Sequence, residues 1–306
     1  MKIHDGVDSF KKTSKAVVTT GTFDGIHLGH KKILDTFIKI GRDTNSETVI
    51  ITFEPHPRIA LFPDHELKLI NTKLENIELF KRYNIDHIIF QKFDKNFSRI
   101  TSLEYIRDIL YKKIGLGELV IGYNHHFGRN REGSITNLEE YADLYGFNVH
   151  MVQPYRLNEV EISSTKIRNA IQTGELELAN NYLGYNFKLS GLVIKGEGRG
   201  ASLGFPTANI VINNVNKIIP RDGVYAVYVY YEKDKFKGML NIGYSPTFNQ
   251  NKKSIEVHIF DFHKIIYDKS ITIEFVKRIR REKKFDKIEN LKQQLSSDKI
   301  TSLNNL

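Results

Sequence analysis

The stretch Thr19-Thr20-Gly21-Thr22-Phe23-Asp24-Gly25-Ile26-His27-Leu28-Gly29-His30 joins a short β-branched run, Ala16 to Thr20, to a helical pattern from Leu28 to Ile40. A glycine-rich turn therefore sits where a strand ends and a helix begins, the place where parallel sheets bind ligands. The helix start offers free N–H groups and a partial positive charge to phosphate. Gly21, Gly25 and Gly29 withdraw side chains where an anion approaches. His27 and His30 are expected on one face of the first helical turn. Two imidazoles there can donate hydrogen bonds to a phosphorus centre as charge builds on its oxygens.

Working outward, strand and helix patterns alternate. Thr48 to Phe53, His87 to Gln91, Glu118 to Gly122 and Asn148 to Gln153 read as strands. Asn71 to Tyr83, Ser102 to Ile114 (with Ser102 as N-cap) and Asn137 to Tyr145 read as helices. This alternation predicts a Rossmann-like α/β unit with a parallel sheet covered on both faces. Two short helices follow, Ser164 to Gln172 and Glu175 to Tyr182, punctuated by Thr173-Gly174.

Past Gly184 the rhythm changes. Leu189 to Ile194, Ala208 to Ile212, Val224 to Tyr231, Phe236 to Ile242, Ile255 to Phe260 and Ile271 to Ile279 read as strands with short polar connections, and Lys287 to Leu295 as a terminal helix. Six strands and one helix predict a closed or nearly closed antiparallel barrel. The expected domains are 1–184 and 185–306, and 306 residues are comfortable for two cores.

Composition narrows the chemistry. The chain has no cysteine, which excludes disulfides, thiolate nucleophiles and Cys-ligated zinc. The start, MKIHDGVDSFKK, lacks the apolar core of a signal peptide. No apolar run approaches the roughly 18 residues of a membrane span, so a cytoplasmic protein with no membrane partner is expected. A net charge of +9 suits anionic ligands as well as plain solubility, and does not choose between nucleotides and nucleic acid.

Further elements carry chemistry. Ile162-Ser163-Ser164-Thr165-Lys166-Ile167-Arg168 opens a helix after the last sheet strand. Its hydroxyls are ordinary capping residues, and with Lys166 and Arg168 they also make a polyphosphate grip. Phe53-Glu54-Pro55-His56-Pro57-Arg58 and Gly122-Tyr123-Asn124-His125-His126-Phe127-Gly128 follow the second and fourth strands as loops. In the second half, Gly191 to Ile210 contains Gly196, Gly198, Arg199 and Gly200, then Phe205-Pro206-Thr207-Ala208-Asn209. It is neither a Walker loop nor a Rossmann fingerprint, because no Gly-Lys-Ser/Thr occurs and a strand follows. Ile255-Glu256-Val257-His258-Ile259-Phe260 alternates, with a carboxylate on its polar face.

Together these motifs resemble the bifunctional bacterial riboflavin kinase/FAD synthetase family over nearly the whole chain. The first half is similar to HxGH nucleotidylyltransferases, which attack the α-phosphate of a nucleoside triphosphate and release pyrophosphate. The resemblance implies His27 and His30 as catalytic, and ATP contacts from Gly21, Thr22, Phe23, Asn124, Ser163, Ser164, Thr165 and Arg168. It implies FMN contacts from His56, Pro57 and Phe127. The second half resembles flavokinases. There it implies Glu256 as general base for the riboflavin 5′-hydroxyl, and Thr207 and Asn209 as ligands of Mg²⁺ and the ATP phosphates. Gly196, Gly198, Arg199 and Gly200 would form a flap over the nucleotide, with Arg280 of Arg280-Arg281-Glu282-Lys283-Lys284-Phe285 near the flavin. Asn241 to Phe248 resembles a loop flanking that site. The implied partners are riboflavin, FMN and ATP, with ATP as co-substrate and Mg²⁺ as cofactor. An HxGH transferase with a non-kinase barrel is disfavoured by the PTAN segment and Glu256. A nucleic-acid-binding barrel is disfavoured by phosphate-handling motifs at catalytic positions of the sheet.

Overall fold

The structure is a computed structural model that describes residues 1–306 except His65, Asn124, Ser134, Glu197 and 245–252, and except the side chains of Arg131 and Ile135. Its contacts divide into two compact units, Met1–Ser163 and Ser164–Leu306.

The first unit runs β1 (Lys2–Asp5), β2 (Ala16–Thr20), α1 (Leu28–Asp43), β3 (Glu47–Glu54), α2 (Pro57–Leu61), α3 (Lys73–Phe80), β4 (His87–Lys92), α4 (Ser102–Glu104), a π-helix (Tyr105–Ile114), β5 (Leu116–Gly122), α5 (Ile135–Tyr145) and β6 (Asn148–Val152). The short hairpin β7 (Arg156–Leu157) and β8 (Val160–Glu161) follows. The sheet order is β1-β4-β3-β2-β5-β6, and every pairing is parallel. Side chains alternate across a strand, so neighbouring residues enter different cores. Val17, Ile50 and Val120 pack with Leu34, Phe37 and Phe80 on one face. Val18, Ile51 and Leu119 pack with Ile106, Leu110 and Leu138 on the other. Burial on both faces explains why these strands read as continuous apolar runs.

Several expectations are corrected at this level. Edge strand β1 lies outside the predicted pattern; it carries one aliphatic residue, Ile3, which is 49% exposed. Ser102 is not the N-cap. Thr101 caps the helix, accepting from the Glu104 N–H at 3.2 Å, while the Glu104 side chain accepts from the Thr101 N–H at 2.9 Å. Beyond Glu104 the helix is π-type rather than α, and it ends at Gly115 with φ 89.

The second unit comprises α6 (Ser164–Thr173), α7 (Leu176–Leu183), β9 (Lys188–Ile194), α8 (Arg199–Ser202), β10 (Ala208–Val211), β11 (Gly223–Tyr231), β12 (Asp234–Tyr244), β13 (Lys253–Ile259), β14 (Ser270–Arg280) and α9 (Ile288–Asn305). Its strands close into an antiparallel barrel in the order β10-β13-β12-β11-β14-β9. Tyr225, Phe275, Leu240, Val257 and Phe187 are buried in it. Helix α9 runs well past the expected Leu295. Asn241 to Tyr244 belong to β12 rather than to a loop, and residues 245–248 of that stretch lie outside the described residues.

Candidate functional site

Strand order locates the first site. The chain passes from β2 outward to β3 and β4, then returns to the other side of β2 for β5 and β6. The crossover direction therefore reverses between β2 and β5, and the crevice beyond their carboxyl ends is where such sheets bind ligands. The Gly21–His30 turn leaves β2 at that point.

His27 is the N-cap of α1 rather than a residue of its first turn. Its Nδ1 accepts from the His30 backbone N–H at 3.3 Å. An accepting Nδ1 places the proton of a neutral ring on Nε2. The His27 and His30 rings stack at 3.8 Å with 15° between their planes. Burial first, and then the neighbouring His27, hold the His30 pKa well below its usual 6.5, so it is a neutral imidazole at physiological pH. The buried His30 Nδ1 has no hydrogen-bond partner among the described residues. A buried polar atom left so is costly, and a phosphoryl oxygen is a group that would satisfy an N–H there.

The glycines have reasons inside the protein. A Cβ on Gly29 would lie 3.0 Å from the His27 ring, and one on Gly25, at φ +90, would lie 3.0 Å from Ile70. Thr22 contributes its carbonyl to the Thr52 hydroxyl at 3.3 Å, which joins the turn to β3. The Phe23 ring is buried against His30 and Phe80 at 5.2 and 5.6 Å, leaving its backbone as the part that can meet a nucleotide.

His56 caps α2 by accepting from the Arg58 N–H at 3.2 Å, and Pro57 opens that helix. The loop follows β3, beside the β2 turn. The Phe127 ring is 9% exposed and packs in the core that includes Tyr105, at 6.2 Å. Asn124 lies outside the described residues. Ser163 closes the first unit, and Ser164 and Thr165 open α6 in the second, where Arg168 is buried and Thr165 exposed.

The second site is a polar row on the barrel. Asn209 of β10, Glu256 of β13 and Asn241 of β12 are direct cross-strand partners. Directly opposed residues share a sheet face, so all three stand on one face, while Ile255, Val257, Leu240 and Ile242 fill the core behind them. The Thr207 hydroxyl donates to Glu256 Oε2 at 3.3 Å. His258, two residues along on the same face, fixes the segment before Thr207: its Nδ1 lies 2.7 Å from the Pro206 carbonyl, which makes Nδ1 the protonated nitrogen. Burial lowers the His258 pKa, and this carbonyl bond opposes the shift.

The glycine-rich segment lies against this row. A Cβ on Gly196 would fall 2.0 Å from Asn209 Nδ2, and one on Gly200 would fall 2.4 Å from the Phe205 carbonyl and 3.2 Å from Thr207 Oγ1. Only glycine allows that approach. Gly198 is left-handed at φ 73 and starts the single turn α8, where Arg199 sits. The hydroxyl, amide and carboxylate oxygens of Thr207, Asn209 and Glu256 form a hard donor set of the kind Mg²⁺ takes. Among the described residues no group of three His, Cys, Asp or Glu side chains makes a metal site. Any Mg²⁺ here would therefore also need phosphate and water ligands.

Arg280 ends β14, and its guanidinium is bonded to Asp298 of α9; Arg281 beside it is exposed. Sequence reasoning gave no role to Asp24 or Asp298 and placed Asn241 only in a loop flanking the kinase site. Burial of the two aspartates is the signal, visible only once the chain is folded.

Comparison with known proteins follows the same division. The FAD synthetase family model matches residues 9–166 and the riboflavin kinase family model residues 183–306. A bifunctional riboflavin kinase/FMN adenylyltransferase of Buchnera aphidicola (Schizaphis graminum) is 38% identical, covering 97% of this chain and 96% of its own. The protein of that name from Escherichia coli K12 is 33% identical, covering 99% and 97%. A crystal structure described as a macrolide-efflux protein from Streptococcus pneumoniae superposes with a TM-score of 0.91 at 31% identity, covering 99% of this chain and 98% of that one. Among the described residues no helix is long and apolar enough to cross a membrane. With both halves matched in order across almost the full length, this chain belongs to the bifunctional riboflavin kinase/FMN adenylyltransferase family.

Proposed function

We propose that the barrel half phosphorylates riboflavin to FMN and the parallel-sheet half adenylylates FMN to FAD, with ATP as co-substrate at both steps. One observation supports the reading: each half holds its own cluster of polar groups suited to phosphate, a histidine-capped turn in one and the Thr207–Asn209–Glu256 row in the other. We place the boundary between the activities at 184/185, and the protein in the cytoplasm.

In the kinase half, Glu256 accepts the proton of the riboflavin 5′-hydroxyl. The freed oxygen attacks the γ-phosphorus of ATP, and ADP leaves. Thr207 and Asn209 would hold Mg²⁺, whose charge screens the phosphate oxygens. Gly196, Gly198, Arg199 and Gly200 close over the nucleotide, and the bond from His258 keeps Thr207 in reach of Glu256. In the transferase half, a phosphate oxygen of FMN attacks the α-phosphorus of ATP and pyrophosphate leaves. The nucleophile is already anionic, so positioning and hydrogen bonds to the α-phosphoryl oxygens carry the step. His27, through Nε2–H, and neutral His30 supply those bonds. Gly21, Thr22 and the Phe23 backbone line the ATP side, and His56, Pro57 and Phe127 the FMN side. Asn124, Ser163, Ser164, Thr165 and Arg168 are assigned to ATP by family resemblance.

Two variants test the division. With riboflavin, ATP and Mg²⁺, Glu256→Gln forms no FMN yet converts supplied FMN to FAD, whereas His30→Ala accumulates FMN. Flavins are separated by chromatography, and loss of both steps in either folded variant refutes the assignment.

A further inference from the structure

Three residues in the four-residue span Phe23–Ile26 have positive φ: Phe23 at 46, Gly25 at 90 and Ile26 at 36. Phenylalanine and isoleucine pay strain in the left-handed region, and such backbone persists only where its surroundings over-determine it. The fourth residue, Asp24, is 3% exposed. Its Oδ1 accepts from the Ile70 and Asn71 N–H groups at 2.9 and 3.1 Å, and its Oδ2 lies 3.2 Å from the Ile70 N–H. Those two residues belong to a rigid abutment. Ile70 is fully buried and Gly25 seats against it. Asn71 Nδ2 donates to Asn76 Oδ1 at 3.2 Å, and Thr72 forms a reciprocal capping box with Glu75.

We infer that Asp24 is a positioning residue for adenylyl transfer, clamping the strained turn to residues 70–71 so that His27 and His30 are delivered to the nucleotide in their stacked arrangement. The chain reaches His27 directly from Ile26, so relaxation of this turn moves the cap of α1 and the ring stacked on His30. Phe23, on the other side of Asp24, packs its ring on His30 as well. The clamp acts through hydrogen-bond acceptance from the Ile70 and Asn71 N–H groups. The inference rests on the adenylyl-transfer reading, and its test includes a readout independent of that activity.

The full-length protein is compared as wild type, Asp24→Ala, Asp24→Asn and Gly25→Ala. Asparagine retains the one oxygen that accepts from both N–H groups. Asp24→Asn is therefore expected to keep the kcat of FMN adenylylation within a few-fold of wild type. Asp24→Ala and Gly25→Ala are expected to lose about 10- to 100-fold, the scale of a misplaced reacting group. Riboflavin phosphorylation by the same chains stays unchanged, and far-UV circular dichroism together with the dispersed amide NMR signals of residues 1–163 reports that the first unit, which holds Asp24 and His30, is folded in each variant. In parallel, histidine NMR titration follows His30: its pKa stays depressed in wild type and Asp24→Asn, and moves up toward 6.5 in Asp24→Ala. An unshifted His30 in Asp24→Ala overturns the clamp, whatever the flavin assay shows. Asp24→Asn as inactive as Asp24→Ala, with His30 unmoved in both, assigns Asp24 a charge-dependent role and overturns it too. A wild type that makes no FAD from FMN refutes the activity assignment alone, and the titration still decides the clamp.

Discussion

Arg280 and Asp298 form a two-pronged ion pair between β14 and α9, with Nε 2.9 Å from Oδ1 and Nη2 2.7 Å from Oδ2. The carboxylate side chain is 2% exposed and the guanidinium side chain 15%. Gln294 Nε2 donates to Oδ1 at 2.9 Å, and Arg280 Nη1 donates to the Arg281 carbonyl at 2.9 Å. The arginine assigned to the flavin is thus first of all an anchor for the terminal helix.

Removing one partner of such a pair leaves a buried charge uncompensated. Asp298→Ala is expected to lower the unfolding free energy by about 3–5 kcal/mol. Arg280→Met combined with Asp298→Leu should recover most of it, because an apolar pair has no such charge. Urea titration followed by circular dichroism measures both; equal stability of Asp298→Ala and wild type contradicts the prediction.

Gly196→Ala tests the flap. Its new Cβ would overlap Asn209 Nδ2, 2.0 Å away, so either the glycine segment or the amide must move. Riboflavin phosphorylation is expected to fall about 10-fold or more, the scale that a misplaced positioning group costs. FMN adenylylation by the same chain stays at the wild-type rate. Steady-state kinetics of the two reactions on one preparation makes the comparison.

Stability should fall on mild acidification. His30 and His258 both have lowered pKa values, chiefly through burial. The folded state therefore binds fewer protons than the unfolded chain once pH drops below the usual 6.5, and protons favour unfolding there. The stability is intact above that pH and is lost as pH falls toward the lowered values, by up to about 1.4 kcal/mol per pH unit per histidine. A melting temperature that declines between pH 7.5 and 5.5, and declines less in His30→Gln, is the expected result from calorimetry.

Much of the fold was legible because periodicity and burial coincide. Val49 to Ile51 and Leu119 to Ile121 are buried on both sheet faces, and uninterrupted apolar runs announce such strands. The misses share a cause, which is tertiary context. Strand β1 is specified by its pairing from Lys2↔His87 to Asp5↔Phe90, not by its own composition. The inner face of α9 carries Asp298 and Ser302 while Ile300 is 61% exposed, so its amphipathic pattern is inverted and the helix reads as ending at Leu295. At the sites, residue types were readable from motifs, but their local jobs were not. That His27 is a helix cap with a fixed tautomer, or that Asn241 joins the row of Asn209 and Glu256, follows from backbone bonds and register.

Closure of the barrel also sets an order of events during synthesis. The sheet of the first unit has all its strands once Val152 has been made, whereas β9 at Lys188–Ile194 must wait for β14 at Ser270–Arg280 before its second edge is covered. Domains that complete first on the ribosome generally fold first. The half that consumes FMN is thus ready while the half that makes it is still an open ribbon, and a nascent chain stalled between those strands would expose its β-edges to proteases and to other stalled copies.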